Sequence, residues 1–104
     1  MIHLTGKNFR AEAENYPGAV VVMFYADWCG KCAMMKPAVK AVAGRCRDQI
    51  RFCEVNTDES PELAVRYGAN IVPTFVMFKN GEVEMYMQGL LDEYIFEERV
   101  RELL

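Results

Sequence analysis

Several things are scarce in this chain, and each scarcity narrows what it can be. There is one histidine and one tryptophan among 104 residues. The lone His3 reads as a surface or strand-edge residue rather than as part of a catalytic or metal-binding set. Long apolar runs are missing. The longest, Ala19-Val20-Val21-Val22-Met23-Phe24-Tyr25-Ala26, has eight residues, far short of the about 20 needed to span a bilayer. An excess of positive charge is missing too. The net charge of −3 and the scatter of both signs give no electrostatic reason to expect nucleic acid or an anionic membrane as partner. Repeats, low-complexity stretches and interdomain linkers do not occur. The opening Met1-Ile2-His3-Leu4-Thr5-Gly6-Lys7 lacks the apolar segment of a signal peptide. The expectation is therefore a cytoplasmic protein, although a mature exported chain would look the same.

What is present is a folding chain. Hydrophobic residues make up 52% of the sequence, and a chain of this length can bury most of its apolar surface in one core. Residues 1–104 are expected to form a single domain. Ile2–Thr5 reads as a short first strand, with Thr5 capping a helix over Lys7–Asn15 that Tyr16-Pro17-Gly18 ends. Ala19–Ala26 is apolar throughout and rich in valine, which suits a strand buried on both faces. Residues 29 to about 47 read as a long helix that Pro37, lacking an N–H, should kink, and Ile50–Val55 as a second buried strand. Ser60 has the place of an N-cap, Pro61 that of the first helical residue, and Gly68 that of the stop. Thr74–Phe78 and Val83–Gln88 are strands around Lys79-Asn80-Gly81-Glu82, and Asn-Gly between strands signals a tight hairpin. Asp92 is placed to cap a last helix whose Ile95, Phe96, Val100 and Leu103 recur at helical spacing. The order βαβαβαββα predicts an α/β fold with a mixed sheet and helices on both faces.

The chemistry gathers at Cys29-Gly30-Lys31-Cys32, directly after the valine-rich strand and at a helix start. Two cysteines separated by two residues can close a small disulfide ring. At a helix N-terminus the first sulfur meets unpaired backbone N–H groups and the positive end of the helix dipole. Both favour thiolate, the reactive species in disulfide exchange. In a reducing cytosol a CxxC is catalytic or metal-binding more often than a permanent staple. Half a zinc site and a structural disulfide are the other readings. Zinc needs a second ligand pair, and Cys46, Cys53 and His3 form none. Cys46 and Cys53 read as small buried apolar residues, with regulatory oxidation or dimerisation through Cys46 as an alternative. The methionines read mainly as core fill. Asp27 and Lys36 read as surface charges, Lys36 adding weakly to the field at the thiols.

Taken together, Trp28-Cys29-Gly30-Lys31-Cys32, Lys36-Pro37, Tyr67-Gly68, Val72-Pro73-Thr74-Phe75, Phe78-Lys79-Asn80-Gly81-Glu82 and Gly89 resemble the thioredoxin family in order and spacing. The resemblance covers essentially the whole chain. It implies the thioredoxin fold and a thiol-disulfide oxidoreductase that reduces protein disulfides through a mixed disulfide. It also implies a role for each residue. Cys29 is the exposed nucleophile and Cys32 the buried resolving thiol, together the redox disulfide. Gly30 and Lys31 support the loop between them, and Trp28 shields the pair and helps form the docking surface. Pro73 is a cis-proline facing the sulfurs. The Val72 backbone pairs with an extended substrate segment, and Gly89 keeps that groove open. The partners implied are a flavin-dependent thioredoxin reductase and disulfide-containing client proteins. No bound cofactor or metal is called for, because the sulfurs carry the electrons, and the protein is expected to act as a monomer.

Three departures from the family pattern stand out. Lys31 replaces the usual proline, loosening the loop and adding positive charge, so a less reducing couple is expected. Met23 lies where the family usually has a buried aspartate beneath the resolving cysteine, and a methionine cannot accept a proton. Glu54 stands where the family often has a lysine, alternating with Phe52 and so sharing its face. If buried and unpaired, Glu54 is the kind of carboxylate that works as a general base near neutral pH. The other reading is a rim glutamate held in water or paired with a nearby Lys or Arg. A dedicated redox partner of one client enzyme, and a non-catalytic binding module, are the alternatives at the level of function.

Overall fold

In the computed structural model, which describes all of residues 1–104, the valine-rich run becomes the centre of the sheet. Strand β2 (Ala19–Tyr25) is buried at every position. It pairs in parallel with β3 (Ile50–Asn56) on one side and antiparallel with β4 (Thr74–Lys79) on the other. Strand β1 (Ile2–Leu4) extends the parallel side and β5 (Glu82–Gln88) the antiparallel side, so the sheet order is β1-β3-β2-β4-β5. A strand flanked by neighbours on both edges and covered on both faces has no solvated position, which is why its sequence does not alternate.

Side chains of β2 divide between two cores. Val21, Met23 and Tyr25 point to the face covered by α1 (Gly30–Cys46) and α3 (Glu93–Arg101), meeting Cys32, Met35, Val39, Phe96 and Val100. Val20, Val22 and Phe24 point to the other face, under Phe9 and Ala13 of the N-terminal segment and Leu63 of α2 (Pro61–Arg66). The mixed sheet with helices on both faces is the architecture expected from the element order. The α1, β3, β4 and β5 boundaries agree with expectation to within one residue.

Turn and cap chemistry account for the ends. Asn80 (φ 52°) and Gly81 (φ 84°) both adopt left-handed backbone, the pair of angles that a two-residue type I′ hairpin requires. The Asp92 carboxylate accepts the N–H groups of Tyr94 and Ile95 at the start of α3. The Gly68 stop has φ 63°. Pro37 lies inside α1, which stays helical from Gly30 to Cys46.

Two local expectations need correcting. The helix expected over Lys7–Asn15 is a turn followed by a π-helical segment, Arg10–Glu14, in which the Asn15 N–H reaches back five residues to the Arg10 carbonyl. This one widened turn brings Glu12 to Arg51 of β3 and Glu14 to Arg66 and Tyr67. Thr5 still caps the turn, its hydroxyl accepting the Lys7 N–H at 3.2 Å. Ser60 does precede Pro61 at the start of α2, but its buried side chain makes no capping hydrogen bond. The Asn56 side chain instead organises the approach to α2, accepting the N–H groups of Asp58 and Glu59.

Candidate redox site

The carboxyl end of β2 delivers the chain into the turn that carries Trp28 and Cys29. Such crevices beyond the carboxyl ends of strands are where open α/β sheets place their sites. Cys29 is the N-cap of α1, with extended backbone (φ −88°, ψ 109°). Its Sγ accepts the Cys32 N–H at 3.1 Å, a bond that an N-cap oxygen makes in most helices. The sulfur therefore occupies the end of the helix where backbone donors and the dipole favour negative charge. From the other side, the Cys29 thiol reaches the Val72 carbonyl at 3.6 Å. The Val72–Pro73 peptide is cis. The Pro73 carbonyl accepts the Gly89 N–H at 2.8 Å. Residues expected to line the groove are thus assembled around Cys29 from three separate stretches of chain.

The two thiols differ in environment. Cys29, expected to be exposed, is itself buried in the reduced protein, where it meets the Val72 carbonyl; it retains 8% of its exposure and Cys32 3%. Burial pushes the Cys32 thiol upward, and its contact with Cys29 pushes it further, while the Ala26 backbone and the Lys36 ammonium pull the other way. All four cysteines are free thiols in this structure. Cys46 faces inward from α1, and Cys53 lies in the core of β3, where burial pushes its thiol to about 12. Both match the reading of small buried apolar residues.

Three large apolar residues next in sequence to Cys29, Val72 and Gly89 are exposed. Trp28 is 72% exposed, and its indole Nε1–H donates to Asp58 at 2.8 Å. Ile71 and Leu90 are exposed as well. Gly89 has φ 90°, and a Cβ built there would meet no atom within 4 Å. A side chain at that position would project into the open groove. Gly30 and Lys31 are exposed between the thiols.

Beneath the pair, a cavity of about 120 Å³ is lined by Met23, Tyr25, Ala26, Asp27, Cys29, Cys32, Ala33 and Lys36. Met23 is fully buried. Glu54 pairs with Met23 in the β2–β3 register, but the picture of a buried, unpaired carboxylate does not hold. It accepts from the Tyr25 hydroxyl at 3.3 Å, contacts His3 Nδ1 at 3.3 Å and lies 3.9 Å from Lys36 Nζ. Met23 lines the cavity and Glu54 does not, but its partners Lys36 and Tyr25 do. His3 sits on edge strand β1 as expected, its ring between Glu54 and Glu59. Sequence reasoning missed two contributors. Asp58 is tied to Trp28 across 30 residues, a separation that leaves no local signal. Tyr25 looked like one more apolar strand residue. No group of three or more His, Cys, Asp or Glu side chains gathers as a metal site, and no helix is long and apolar enough to cross a membrane.

Comparison with known proteins agrees with this geometry. The thioredoxin family model matches residues 1–102. A thioredoxin of Allochromatium vinosum is 33% identical over 93 residues, covering 89% of this chain and 87% of that protein. A thioredoxin of Porphyra purpurea is 39% identical over 79 residues, 76% of this chain and 74% of its own length. The chloroplastic thioredoxin M5 of Oryza sativa subsp. japonica is 42% identical over 98 residues, 86% of this chain and 57% of the longer rice protein. With a CxxC pair at the head of α1, a five-stranded mixed sheet behind it and a family match along nearly its whole length, this chain belongs to the thioredoxin family of thiol-disulfide oxidoreductases.

Proposed function

We propose that residues 1–104 act as one unit that reduces disulfide bonds in client proteins, with Cys29 as nucleophile and Cys32 as resolving thiol. The observation that carries this assignment is the asymmetry of the pair. Both residues are buried, but Cys29 is the less buried of the two and caps the N-terminus of α1, whereas Cys32 lies one turn inside the helix. In the first displacement the Cys29 thiolate attacks one sulfur of the client disulfide. An S–S bond forms between Cys29 and the client, and the other client sulfur leaves as a thiolate and takes up a proton. In the second, Cys32 gives up its proton and its sulfur attacks Cys29 Sγ. The Cys29–client bond breaks as the Cys29–Cys32 disulfide forms, and the client's second sulfur leaves as a thiolate that takes up a proton, so the client is fully reduced. Two electrons pass from the dithiol to the client.

Thioredoxins as a family act on disulfide client proteins and are reduced by thioredoxin reductase. For this chain we assign the return step to a flavin-dependent thioredoxin reductase, and the site of action to the cytoplasm, acting as a monomer. Trp28, Val72, Pro73 and Gly89 form the docking groove. The Val72 backbone, whose carbonyl faces the Cys29 sulfur, offers an extended client segment a strand-like partner. Gly30 and Lys31 keep the loop between the sulfurs open, and Glu54 supports the site through its neighbours.

The test is trapping. A Cys32→Ser variant should accumulate mixed disulfides through Cys29 with client proteins, releasable by dithiothreitol, and a Cys29→Ser variant should accumulate none. The wild-type protein, supplied with thioredoxin reductase and NADPH, should reduce insulin disulfides. Trapping through Cys32 instead of Cys29 would overturn the assignment of roles. Efficient trapping of one client with no insulin reduction would point to a dedicated partner, the reading that Lys31 and Met23 favour.

A further inference from the structure

The second displacement needs a thiolate on Cys32, and the environment of that sulfur opposes one. It is nearly fully buried. Met23 beneath it has no group to accept a proton or oppose a charge. The question is what stabilises the negative charge when it forms. The titratable and charged side chains around the cavity are Cys29, Asp27, Tyr25 and Lys36, with Glu54 behind. One of these is a cation. Lys36 stands four residues after Cys32 on α1, so the two side chains share a face of the helix.

The position of Lys36 is held from two directions. Its Nζ lies 3.9 Å from Glu54 and 4.5 Å from the centroid of the Tyr25 ring. Those anchors are themselves joined, since the Tyr25 hydroxyl donates to the other Glu54 oxygen at 3.3 Å. His3 holds that same oxygen from edge strand β1. The side chain is only 35% exposed. A solvated surface lysine would have no such constraint. An ammonium held over an aromatic ring and beside a carboxylate stays where its field reaches the cavity.

We propose that Lys36 is the electrostatic partner of Cys32 in the second displacement, with Glu54 and Tyr25 as positioning residues that hold its ammonium at the cavity. The Cys32 proton leaves to water through the cavity. The electron pair left on sulfur is stabilised by the Ala26 backbone and by the Lys36 ammonium, the latter partly offset by Asp27 and Glu54, until it forms the bond to Cys29. In this arrangement the missing buried carboxylate is not replaced by another base. A cation lowers the cost of the thiolate, and Glu54 acts one residue removed, through Lys36. The inference rests on the reading of Cys32 as resolving thiol.

Alkylation of Cys32 in a Cys29→Ser background tests it without any client or reductase. The rate of iodoacetamide labelling at Cys32, followed by peptide mapping from pH 6 to pH 10, reports its thiolate. Adding Lys36→Met should lower the rate at pH 8 by about 5- to 10-fold and move the pH profile upward, a tenfold change being one pH unit. Lys36→Arg, which keeps the charge but not the ammonium geometry, should retain more of the parent rate than Lys36→Met. Lys40→Met, an equal charge change on an exposed part of the same helix, serves as control and should leave the rate unchanged. An unaltered profile in Lys36→Met, or an equal drop in Lys40→Met, would overturn the inference. The trapping experiment with Cys32→Ser contains no resolving thiol, so its outcome judges the assignment of Cys29 independently of Lys36.

Discussion

Treating the folded, reduced protein with a small excess of iodoacetamide at pH 7 should separate its four thiols sharply. Cys29 retains 8% exposure, Cys32 3%, Cys46 1% and Cys53 none. For Cys53 the effect of ionisation adds to that of access. Burial raises its thiol from 9.0 to about 12, and a rise of three units cuts the thiolate present at pH 7 by about 10³. Cys53 should therefore react at least about 10³-fold more slowly than a free thiol, and Cys29 should carry the first label. In denaturant the differences should vanish, because they arise from the fold. Quenched time points read by intact mass and peptide mapping give the order. Label at Cys46 or Cys53 ahead of Cys29 would refute the assignment of the reactive sulfur. The same burial sets a pH limit on stability. A folded value above the unfolded one means that the folded state holds the proton more tightly. The contribution is complete below pH 9 and is lost as pH rises through about 12. Three units correspond to about 4 kcal/mol, most of it gone by pH 11. Urea unfolding from pH 8 to pH 11 should show a flatter decline in Cys53→Ala than in the wild type. Parallel declines would show that Cys53 carries none of it.

Three further outcomes follow from local geometry. Gly81→Ala should lower stability by about 2 kcal/mol or more, because left-handed backbone alone costs a β-carbon about 1–2 kcal/mol, and here the new methyl runs into the Glu14 carbonyl oxygen; a urea midpoint unchanged at constant slope would contradict this. Asp92→Ala removes the acceptor for two N–H groups at the head of α3 and should cost about 1 kcal/mol, read as a lower unfolding midpoint, with Asp92→Asn retaining most of the stability. His3 is raised above its ordinary value first by its hydrogen bond to Glu59 and then by that to Glu54. The stabilisation that His3→Gln removes should therefore be present below about pH 6.5 and disappear as pH climbs through the raised value. At this exposed site it should stay under about 1 kcal/mol and shrink in salt, so a stability difference that grows toward alkaline pH would be inconsistent with the bridge.

Much of this protein follows from local sequence chemistry. An apolar run without alternation makes β2 a central strand, since no position on it meets water. Asn80-Gly81 closes the β4–β5 hairpin because those residues accept positive φ, and Asp92 starts α3 because its carboxylate reaches the free N–H groups there. Placing CxxC after such a strand puts Cys29 at a helix N-terminus, and with it the dithiol chemistry. These signals work because each interaction closes within a few residues.

Where partners lie far apart along the chain, the tertiary structure decides. It turns the expected N-terminal helix into a π-helical turn that serves Arg51, Arg66 and Tyr67. It brings Asp58 to Trp28 and the Val72 carbonyl to Cys29. Glu54, read from sequence as a carboxylate in search of a role, becomes one member of a group with His3, Tyr25 and Lys36 drawn from three strands and a helix. The sulfurs proposed to react are thus marked by a four-residue motif, whereas the electrostatic setting of Cys32 depends on which side chains packing leaves around it. Pairings of that kind have no periodicity and no fixed spacing, so only the folded chain displays them.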